Sequence, residues 1–372
     1  MEGYFLPVFA PKSISTTTML SDLLNQSIEL FNVEIPFAKV SRSVYVDNSY
    51  KLAKYMQCDI DWMEFWEKLF VDSVSDEIDT LDQLSVQLKK HDKKVVFLLD
   101  GLEEILGNVS SNIYEQKAVR VLCQDIINII SARYDNIGII VFLRSDMAQN
   151  AITVNYEQFK QAYSYADLRW TSEEALRLAV WLVSQAVQGY YTSSAPIEDA
   201  SNDVIEKHLE KLWGLKLGKV NSNEAYSSRW ILAALSDFNG QLQARDIIRF
   251  LKYASKQNNK KVPYLDRILM PIEIRNAVSI CSKEKISETK AEYESLKPIF
   301  EKLEKLPSEK KILPLSLESD ALTANEEKIM MQEGYLTKDG GKLYLPEIIR
   351  HALGFKYEKG ARPRVLSLLL KH

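Results

Sequence analysis

The chain has 372 residues, which is long for one hydrophobic core and predicts two or three domains. Hydrophobic residues make up 46% and charged residues 26% of it, and the net charge of −4 argues against a protein that coats nucleic acid. The three cysteines form no C-x-x-C pair and the four histidines show no ligand spacing, so we expect free thiols and no metal–histidine site. No apolar run approaches the roughly 20 residues that span a bilayer, and the N-terminus lacks a basic signal-peptide region, so we expect a cytoplasmic protein.

Short apolar strands alternate with helical patterns over the first 170 residues. Val95–Leu99 is apolar without alternation, as expected for a parallel strand buried on both faces. The other predicted strands are Tyr4–Phe9, Ser43–Asp47, Gly138–Leu143 and Ala166–Trp170. The predicted helices are an amphipathic one from about Leu20 to Phe31, then Trp62–Val74, Ile78–Lys90 and Tyr114–Tyr134. This alternation predicts an α/β fold whose parallel sheet has helices on both faces.

An acidic residue ends the most apolar strand. Asp100 follows Val95–Leu99, and Glu103 and Glu104 lie just beyond it. Open α/β sheets place their ligand crevice at the carboxyl ends of the strands. The segment resembles the strand with which P-loop ATPases hold Mg²⁺ and position water, so Asp100 is a candidate metal ligand and all three acids are candidate catalytic residues. A solvated acidic strand end is the alternative.

Residues 10–17 occupy the place of a phosphate loop, between the first strand and an amphipathic helix. The segment reads Ala10-Pro11-Lys12-Ser13-Ile14-Ser15-Thr16-Thr17 and lacks the glycines and lysine of G-x-x-x-x-G-K-T. In that alignment Ser15 takes the second glycine position, Thr16 takes the lysine position and Thr17 keeps the hydroxyl that would bind Mg²⁺. Losing the lysine removes a full positive charge beside a triphosphate. We predict a degenerate loop that binds nucleotide weakly or not at all; a competent loop and an ordinary Ser/Thr-capped turn are the alternatives.

A second polar strand end follows the predicted strand Gly138–Leu143. In P-loop folds the strand beside the acidic one carries a polar residue that senses the γ-phosphate. Arg144 holds that position here, and an ion pair with Asp146 is an equally weighted alternative.

Helical patterns replace the strand–helix alternation from Thr171 onward. Thr171-Ser172-Glu173-Glu174 predicts a capped helix that ends near Ala186. The further predicted helices are Asp203–Trp213, Ser228–Ser236, Gln243–Ser255 and a charged helical connector over Pro271–Leu306. The last segment predicts a helix near Thr323–Glu333, a hairpin at Asp339-Gly340-Gly341 and a helix at Pro346–Leu353, which is typical of a winged helix.

The whole layout resembles that of the AAA+ and STAND ATPases. Gly240-Gln241-Leu242-Gln243-Ala244-Arg245 opens a helix similar to their lid helix, and the resemblance makes Arg245 the lid arginine that faces the nucleotide. A surface ion pair is the alternative for this arginine. The resemblance implies an ATPase-like core over 1–170, a helical lid over 171–260, a connector over 261–306 and a winged-helix domain over 307–372. The cofactor it implies is ATP or ADP with Mg²⁺, held by Thr17 and Asp100, although the sequence makes no cofactor certain.

Basic residues in the predicted winged helix are candidates for DNA contact. They are Lys338, Lys342, Arg350, Lys356, Arg362 and Arg364. Acidic residues are interleaved with them, whereas phosphate binding needs a concentrated basic face. We therefore favour protein contact for this segment, with DNA as the alternative partner.

Three functional hypotheses follow. The first is a regulatory or scaffold protein with a degraded phosphate loop and weak or absent hydrolysis, which acts through a protein partner or homo-oligomer in a larger assembly. The second is an active ATPase in which Lys12 reaches the nucleotide of a neighbouring subunit. The third is a DNA-binding regulator like the AAA+ origin-recognition initiators, which would use the winged helix.

Overall fold

The protein is described by a computed structural model, which covers residues 2–9, 18–41, 48, 50–52, 62–257, 266–293, 295–316 and 321–358. The chain forms two compact units, Met1–Asp167 and Leu168–His372. Among the described helices, none is long and apolar enough to cross a bilayer.

Three parallel strands form the sheet of the first unit. They are β1 (Glu2–Phe9), β2 (Lys93–Leu99) and β3 (Ile137–Val141), hydrogen-bonded in the order β1-β2-β3. The predicted parallel arrangement of the N-terminal strand, the acidic strand and the third strand is confirmed. Because the strands are parallel, their carboxyl ends lie at one edge of the sheet.

Seven helices are described in the first unit. They are α1 (Thr18–Glu34), α2 (Trp62–Asp72), α3 (Leu81–Lys90), α4 (Ile113–Arg120), α5 (Ile127–Arg133), α6 (Ser145–Ala151) and α7 (Tyr156–Ala162). Their apolar sides share one hydrophobic cluster with the sheet, in which Trp62, Trp66 and Phe70 of α2 are almost fully buried. These three positions have the i, i+4 spacing of one helix face, which is why the amphipathic pattern predicts α2.

The predicted helix Tyr114–Tyr134 is a nearly continuous helical run with one irregularity. A π-helical segment, Val121–Ile126, separates α4 from α5. The indole N–H of Trp66 donates to the carbonyl of Ala118 at 3.1 Å. An α-helix would use that carbonyl to bond Leu122, so the indole accounts for the widened turn that follows.

The two faces of the parallel sheet differ in burial. Val8, Phe97 and Leu99 on one face are fully buried, whereas on the other face Phe5 is 60% exposed and Ile140 is 40% exposed. We predicted helices on both faces; in the part of the chain that the structure describes, the hydrophobic cluster that joins the sheet to the helices takes in the first face, and these exposed positions lie on the second. Strands that follow one another in chain order, joined by right-handed crossovers, bring both connections to the same face. An unbroken apolar strand such as β2 does not reveal that order.

Two other predicted strands have different outcomes. Ser43–Asp47 lies outside the described residues. Ala166–Trp170 is not a strand, because Ser164–Ala166 is a 3₁₀ turn and residues 167–170 have no regular structure. Leu168 there is 80% exposed, so the segment lacks the burial that its apolar sequence suggests.

The second unit is mainly helical. Its helices are α8 (Ser172–Ala186), α9 (Asn202–Trp213), α10 (Ser227–Leu235), α11 (Ala244–Lys256), α12 (Pro271–Glu292), α13 (Lys297–Glu304), α14 (Ala324–Gln332) and α15 (Glu347–Leu353). The predicted capping box at the start of α8 is present, since the Thr171 hydroxyl accepts from the Glu174 N–H and Glu174 accepts from the Thr171 N–H. The long helix α12 packs against α11 and α15, and one hydrophobic cluster extends from Ala175 to Phe355. The predicted lid, connector and winged-helix segments therefore share a core, and their division into domains stays a prediction.

Short strands complete the second unit. They are β4 (Ile312–Leu313), β5 (Leu315–Ser316), β6 (Thr337–Asp339), β7 (Lys342–Tyr344) and β8 (Lys356–Tyr357). β5, β7 and β6 form an antiparallel sheet in that order, and β4 pairs with β8. The β6–β7 hairpin turns at Gly340 and Gly341, both with positive φ, as a two-residue turn that follows the strand twist requires.

Candidate functional site

The carboxyl edge of the parallel sheet brings three strand ends together. The N–H of Asp100 donates to the Phe9 carbonyl at 3.4 Å, and the Phe142 N–H donates to the Leu99 carbonyl at 2.8 Å. Asp100 therefore lies between the end of β1, where residues 10–17 begin, and the end of β3, which leads to Arg144. This is the edge at which open α/β sheets bind ligands.

Asp100 is half-buried at this edge. One of its carboxylate oxygens accepts the Gly101 N–H at 2.9 Å. Burial raises the pKa of Asp100, the Gly101 hydrogen bond opposes that shift, and the negative charge of Glu104 adds to it. Because a cation favours the ionised carboxylate, bound Mg²⁺ would lower this pKa again.

A sharp turn positions the two glutamates after Asp100. Gly101 has φ 80°, a conformation that favours glycine, and it starts the 3₁₀ turn Leu102–Glu104. Leu102 is fully buried and anchors the turn, while Glu103 is half-buried and Glu104 is exposed. The geometry holds both glutamates within one turn of the sheet edge.

The described residues at this edge offer few groups to a metal ion. Among the described parts of the chain, no group of three or more His, Cys, Asp or Glu residues could hold a metal ion. Mg²⁺ is commonly held by one or two carboxylates, with waters and phosphates completing its octahedron. Asp100 fits that donor set.

The predicted phosphate-loop residues fall between β1 and α1. Lys12, Ser15, Thr16 and Thr17 lie outside the described residues. The structure brings the end of β1 to Asp100 through the Phe9 carbonyl, and the roles of the four loop residues stay predictions.

Arg144 is held by a neighbouring carboxylate. Its Nε and Nη2 donate to the two carboxylate oxygens of Asp146 at 3.0 and 2.9 Å. Asp146 lies in the first turn of α6, where the helix dipole also favours an anion. This bidentate ion pair is the alternative that the sequence left open to a γ-phosphate-sensing role for Arg144.

Arg245, in the second unit, belongs to a row of ion pairs between α11 and α12. It donates to Glu292 at 2.9 Å and to Gln243 at 2.7 Å. Along the same row Arg249 contacts Glu288, and Tyr253 donates to Glu284. The α11 members are spaced by four residues, and so are the acids of α12, so the row joins one face of each helix. Arg245 thus forms surface ion pairs, which is the alternative that the sequence left open to a lid arginine facing a nucleotide.

The DNA candidates of the C-terminal segment differ in their surroundings. Lys338, Lys342 and Lys356 are exposed, and Arg362 and Arg364 lie outside the described residues. Arg350 is occupied, because its Nε donates to Glu347 at 2.9 Å and its Nη1 donates to the Phe355 carbonyl at 2.8 Å. Glu347 also contacts His351, and although burial opposes ionisation, the hydrogen bonds and charges of His351 and Arg350 lower its pKa to about 2.

A half-buried acid in the turn before α11, Asp237, is not among the residues that the sequence patterns single out. Asp237 accepts the N–H groups of Asn239 and Gln241 at 2.9 and 2.8 Å. Burial raises its pKa to about 6, against the opposing influence of these hydrogen bonds and of Lys285 and Arg169. The sequence Asp-Phe-Asn-Gly is a recognisable turn, but its burial depends on contacts with residues far along the chain, such as the Phe238 N–H bond to the Gly334 carbonyl.

No protein family, curated protein or solved structure matches this chain.

Proposed function

We propose that the first unit is a degraded P-loop ATPase-like core. Its sheet edge binds Mg²⁺–nucleotide weakly, without efficient hydrolysis, and the protein acts as a regulatory scaffold through protein contacts. The observation that carries the proposal is Asp100, which stands at the carboxyl edge of a three-stranded parallel sheet beside the ends of β1 and β3. An acid in that position suits water-mediated contact with a nucleotide-bound Mg²⁺.

The proposal of weak hydrolysis is supported by the ion pairs that Arg144 and Arg245 form with carboxylates of the chain. Catalysis of phosphoryl transfer depends on positive groups aimed at the transferring phosphate, and an arginine finger alone contributes about 10³–10⁵ in rate. Arg144 is bound bidentately by Asp146. Arg245 is bound by Glu292 and Gln243. Each would have to exchange a carboxylate for phosphate, and Thr16 stands where the alignment expects the loop lysine.

Titration calorimetry with Mg²⁺–ATP tests the binding half of the proposal. We expect a dissociation constant in roughly the millimolar range, about 4 kcal/mol of binding free energy. Asp100→Asn should weaken binding in Mg²⁺ and have little effect with ATP in EDTA. The exposed residue Asp76, in the same unit, provides the matched control Asp76→Asn, which should bind like the wild type.

Two results would contradict the binding claim. One is a chain that binds no nucleotide at millimolar concentration. The other is binding that Asp100→Asn leaves unchanged in Mg²⁺, because the nucleotide would then lie away from this edge.

A further inference from the structure

The parallel sheet of the first unit has an open face with a defined composition. The register aligns Phe5 with Val96 and Leu98 with Ile140, so these four side chains stand on the same side of the sheet. Phe5 is 60% exposed and Ile140 is 40% exposed, while Val96 and Leu98 are half-buried. None of the four belongs to the hydrophobic cluster that joins the other face to the helices. We call this surface the open face.

The open face is unusual for a parallel sheet. Such sheets occur almost only where both faces are covered. Phe142, which continues β3 on the same side, is 39% exposed and extends the apolar surface to the carboxyl edge. Contiguous apolar patches of a few hundred Å² on a protein surface are often functional.

The size of the open face argues against a stable homodimer formed through it. Three strands about 4.8 Å apart and about 20 Å long present roughly 300 Å². Two such faces together would bury about 600 Å², well below the roughly 1,200 Å² of a stable protein pair. A single α-helix, about 10 Å across, matches the roughly 10 Å between the outer strands.

A positive charge at one end of the open face indicates which charge a bound partner should carry there. Lys94 aligns with Gly3 at the amino end of the strands, on the same side as Val96. Its side chain is half-buried, and its positive charge contributes, after the hydrogen bond from Lys89, to a lowered pKa of the exposed Asp135. A partner carrying an acidic residue at this end would complement Lys94, whereas a basic one would be repelled.

We propose that the open face binds an amphipathic helix of a partner protein. The apolar stripe of that helix lies across Phe5, Leu98 and Ile140, and an acidic residue near one end pairs with Lys94. The inference rests on the proposed scaffold role, for which it specifies the partner. It does not depend on nucleotide, because the open face and the carboxyl edge are tested by different variants.

Peptide selection on the full-length protein tests the inference. A phage-displayed library of random 20-residue peptides is selected on the wild type, and enriched peptides are synthesised for fluorescence polarisation and circular dichroism. Ile140→Lys and Phe5→Lys each place a charge on the open face at an exposed position. Val86→Lys, at a 64% exposed position of α3, is the matched control away from the sheet.

The expected peptides carry apolar residues at i, i+3, i+4 and i+7 with acidic neighbours, and they become helical on binding. Their dissociation constants should be about 1–100 µM, as suits a small interface. Both open-face variants should weaken binding at least about tenfold because a charge would be buried in the contact, and Val86→Lys should not. Lys94→Glu should weaken the binding of acidic peptides and strengthen the binding of basic peptides.

Three results would overturn the inference. The first is enrichment of extended or basic peptides, and the second is enriched peptides that bind Ile140→Lys and Phe5→Lys as well as the wild type. The third is self-association in sedimentation runs of the wild type that Ile140→Lys abolishes, since a second copy would then be the occupant. Nucleotide binding by the same preparations shows separately whether the sheet-edge proposal holds.

Discussion

The two units differ in how they hold charge. Among the described residues of the first unit, the buried charged side chain is Glu115, which accepts hydrogen bonds from Asn108 and Asn112. The second unit buries Asp246, Arg267, Glu273, Lys285 and Glu347. Each of these five has a partner at hydrogen-bond distance. Charge thus belongs to the core of the second unit, whereas in the first unit the candidate site lies at the edge of an apolar sheet.

The comparison separates structural charges from a candidate functional one. Removing one partner of a buried ion pair leaves an uncompensated charge, so a single substitution in such a pair destabilises the folded chain. Asp100 has a different setting, because its pKa is raised by burial and by Glu104 at a strand end where ligands bind. Substitutions in the second unit should therefore change stability, and substitution of Asp100 should change ligand binding.

The largest effect is expected at the buried pair between α11 and α12. Lys285 donates to Asp246 at 2.8 Å and to Gln243 at 2.7 Å. Lys285→Met should cost about 3–5 kcal/mol of unfolding free energy, because it removes the cation that is hydrogen-bonded to the buried Asp246 carboxylate and leaves that carboxylate with Arg249, whose Nη1 lies 3.7 Å away. Urea denaturation followed by circular dichroism measures the loss. The double variant Lys285→Met with Asp246→Leu should recover most of it; equal losses in the single and double variants would show that the charge is not the cause.

The next effect tests how Arg267 is accommodated. Gly214 has φ +75°, and a Cβ there would lie 2.1 Å from the Arg267 guanidinium carbon. That guanidinium donates to the carbonyls of Lys216 and Gly218 at 2.7 and 3.1 Å, so it has little freedom to move. Gly214→Ala should cost about 3 kcal/mol, combining backbone strain with displacement of a buried cation.

Gly189 provides the matched control for that substitution. It has a similar φ of +73° but no atom within 4 Å of a built Cβ. Gly189→Ala should therefore cost only the backbone strain, about 1 kcal/mol. Equal losses for the two variants in thermal denaturation would mean that the contact with Arg267 contributes nothing.

A smaller effect than that of Gly214→Ala is expected for a change of pH. The pKa of Asp237 is raised to about 6 in the folded chain from its ordinary value of 3.8. A raised carboxyl pKa contributes stability below the unfolded pKa and loses it as pH rises through the folded pKa, so the loss should fall between about pH 4 and pH 6. Asp237→Asn keeps an oxygen for the Asn239 and Gln241 N–H groups and should stabilise the chain at pH 7 by roughly 1–2 kcal/mol.

Denaturant unfolding at pH 4, 5, 6 and 7 checks this prediction. The difference between Asp237→Asn and the wild type should grow over that range and level off above pH 6. A difference that does not vary with pH would mean that Asp237 has an ordinary pKa.

Local sequence patterns predicted several elements well. The apolar run Val95–Leu99 lies within β2, and the Thr171–Glu174 capping box starts α8. Both depend on neighbours along the chain, which a pattern can show. The segment Ala166–Trp170 failed for the opposite reason, since its apolar residues lie at the boundary of the two units and Leu168 is exposed.

Local sequence patterns do not show which residues pair when they are far apart along the chain. Arg245 and Glu292 are 47 positions apart, so no local pattern shows that this arginine joins two helices. The open face was equally hidden, because an unbroken apolar strand predicts burial on both sides whatever the strand order. Asp100 could be singled out because its signal, an acid at the end of an apolar strand, is local.

Phosphate release from Mg²⁺–ATP by the wild type, with Asp100→Asn as the comparison, tests the central claim most directly. At several millimolar ATP we expect both proteins to release phosphate at the same background rate, although the wild type binds the nucleotide. Turnover by the wild type near the roughly 1 s⁻¹ or more that is usual for enzymes, abolished by Asp100→Asn, would contradict it. The sheet edge would then be a working ATPase site.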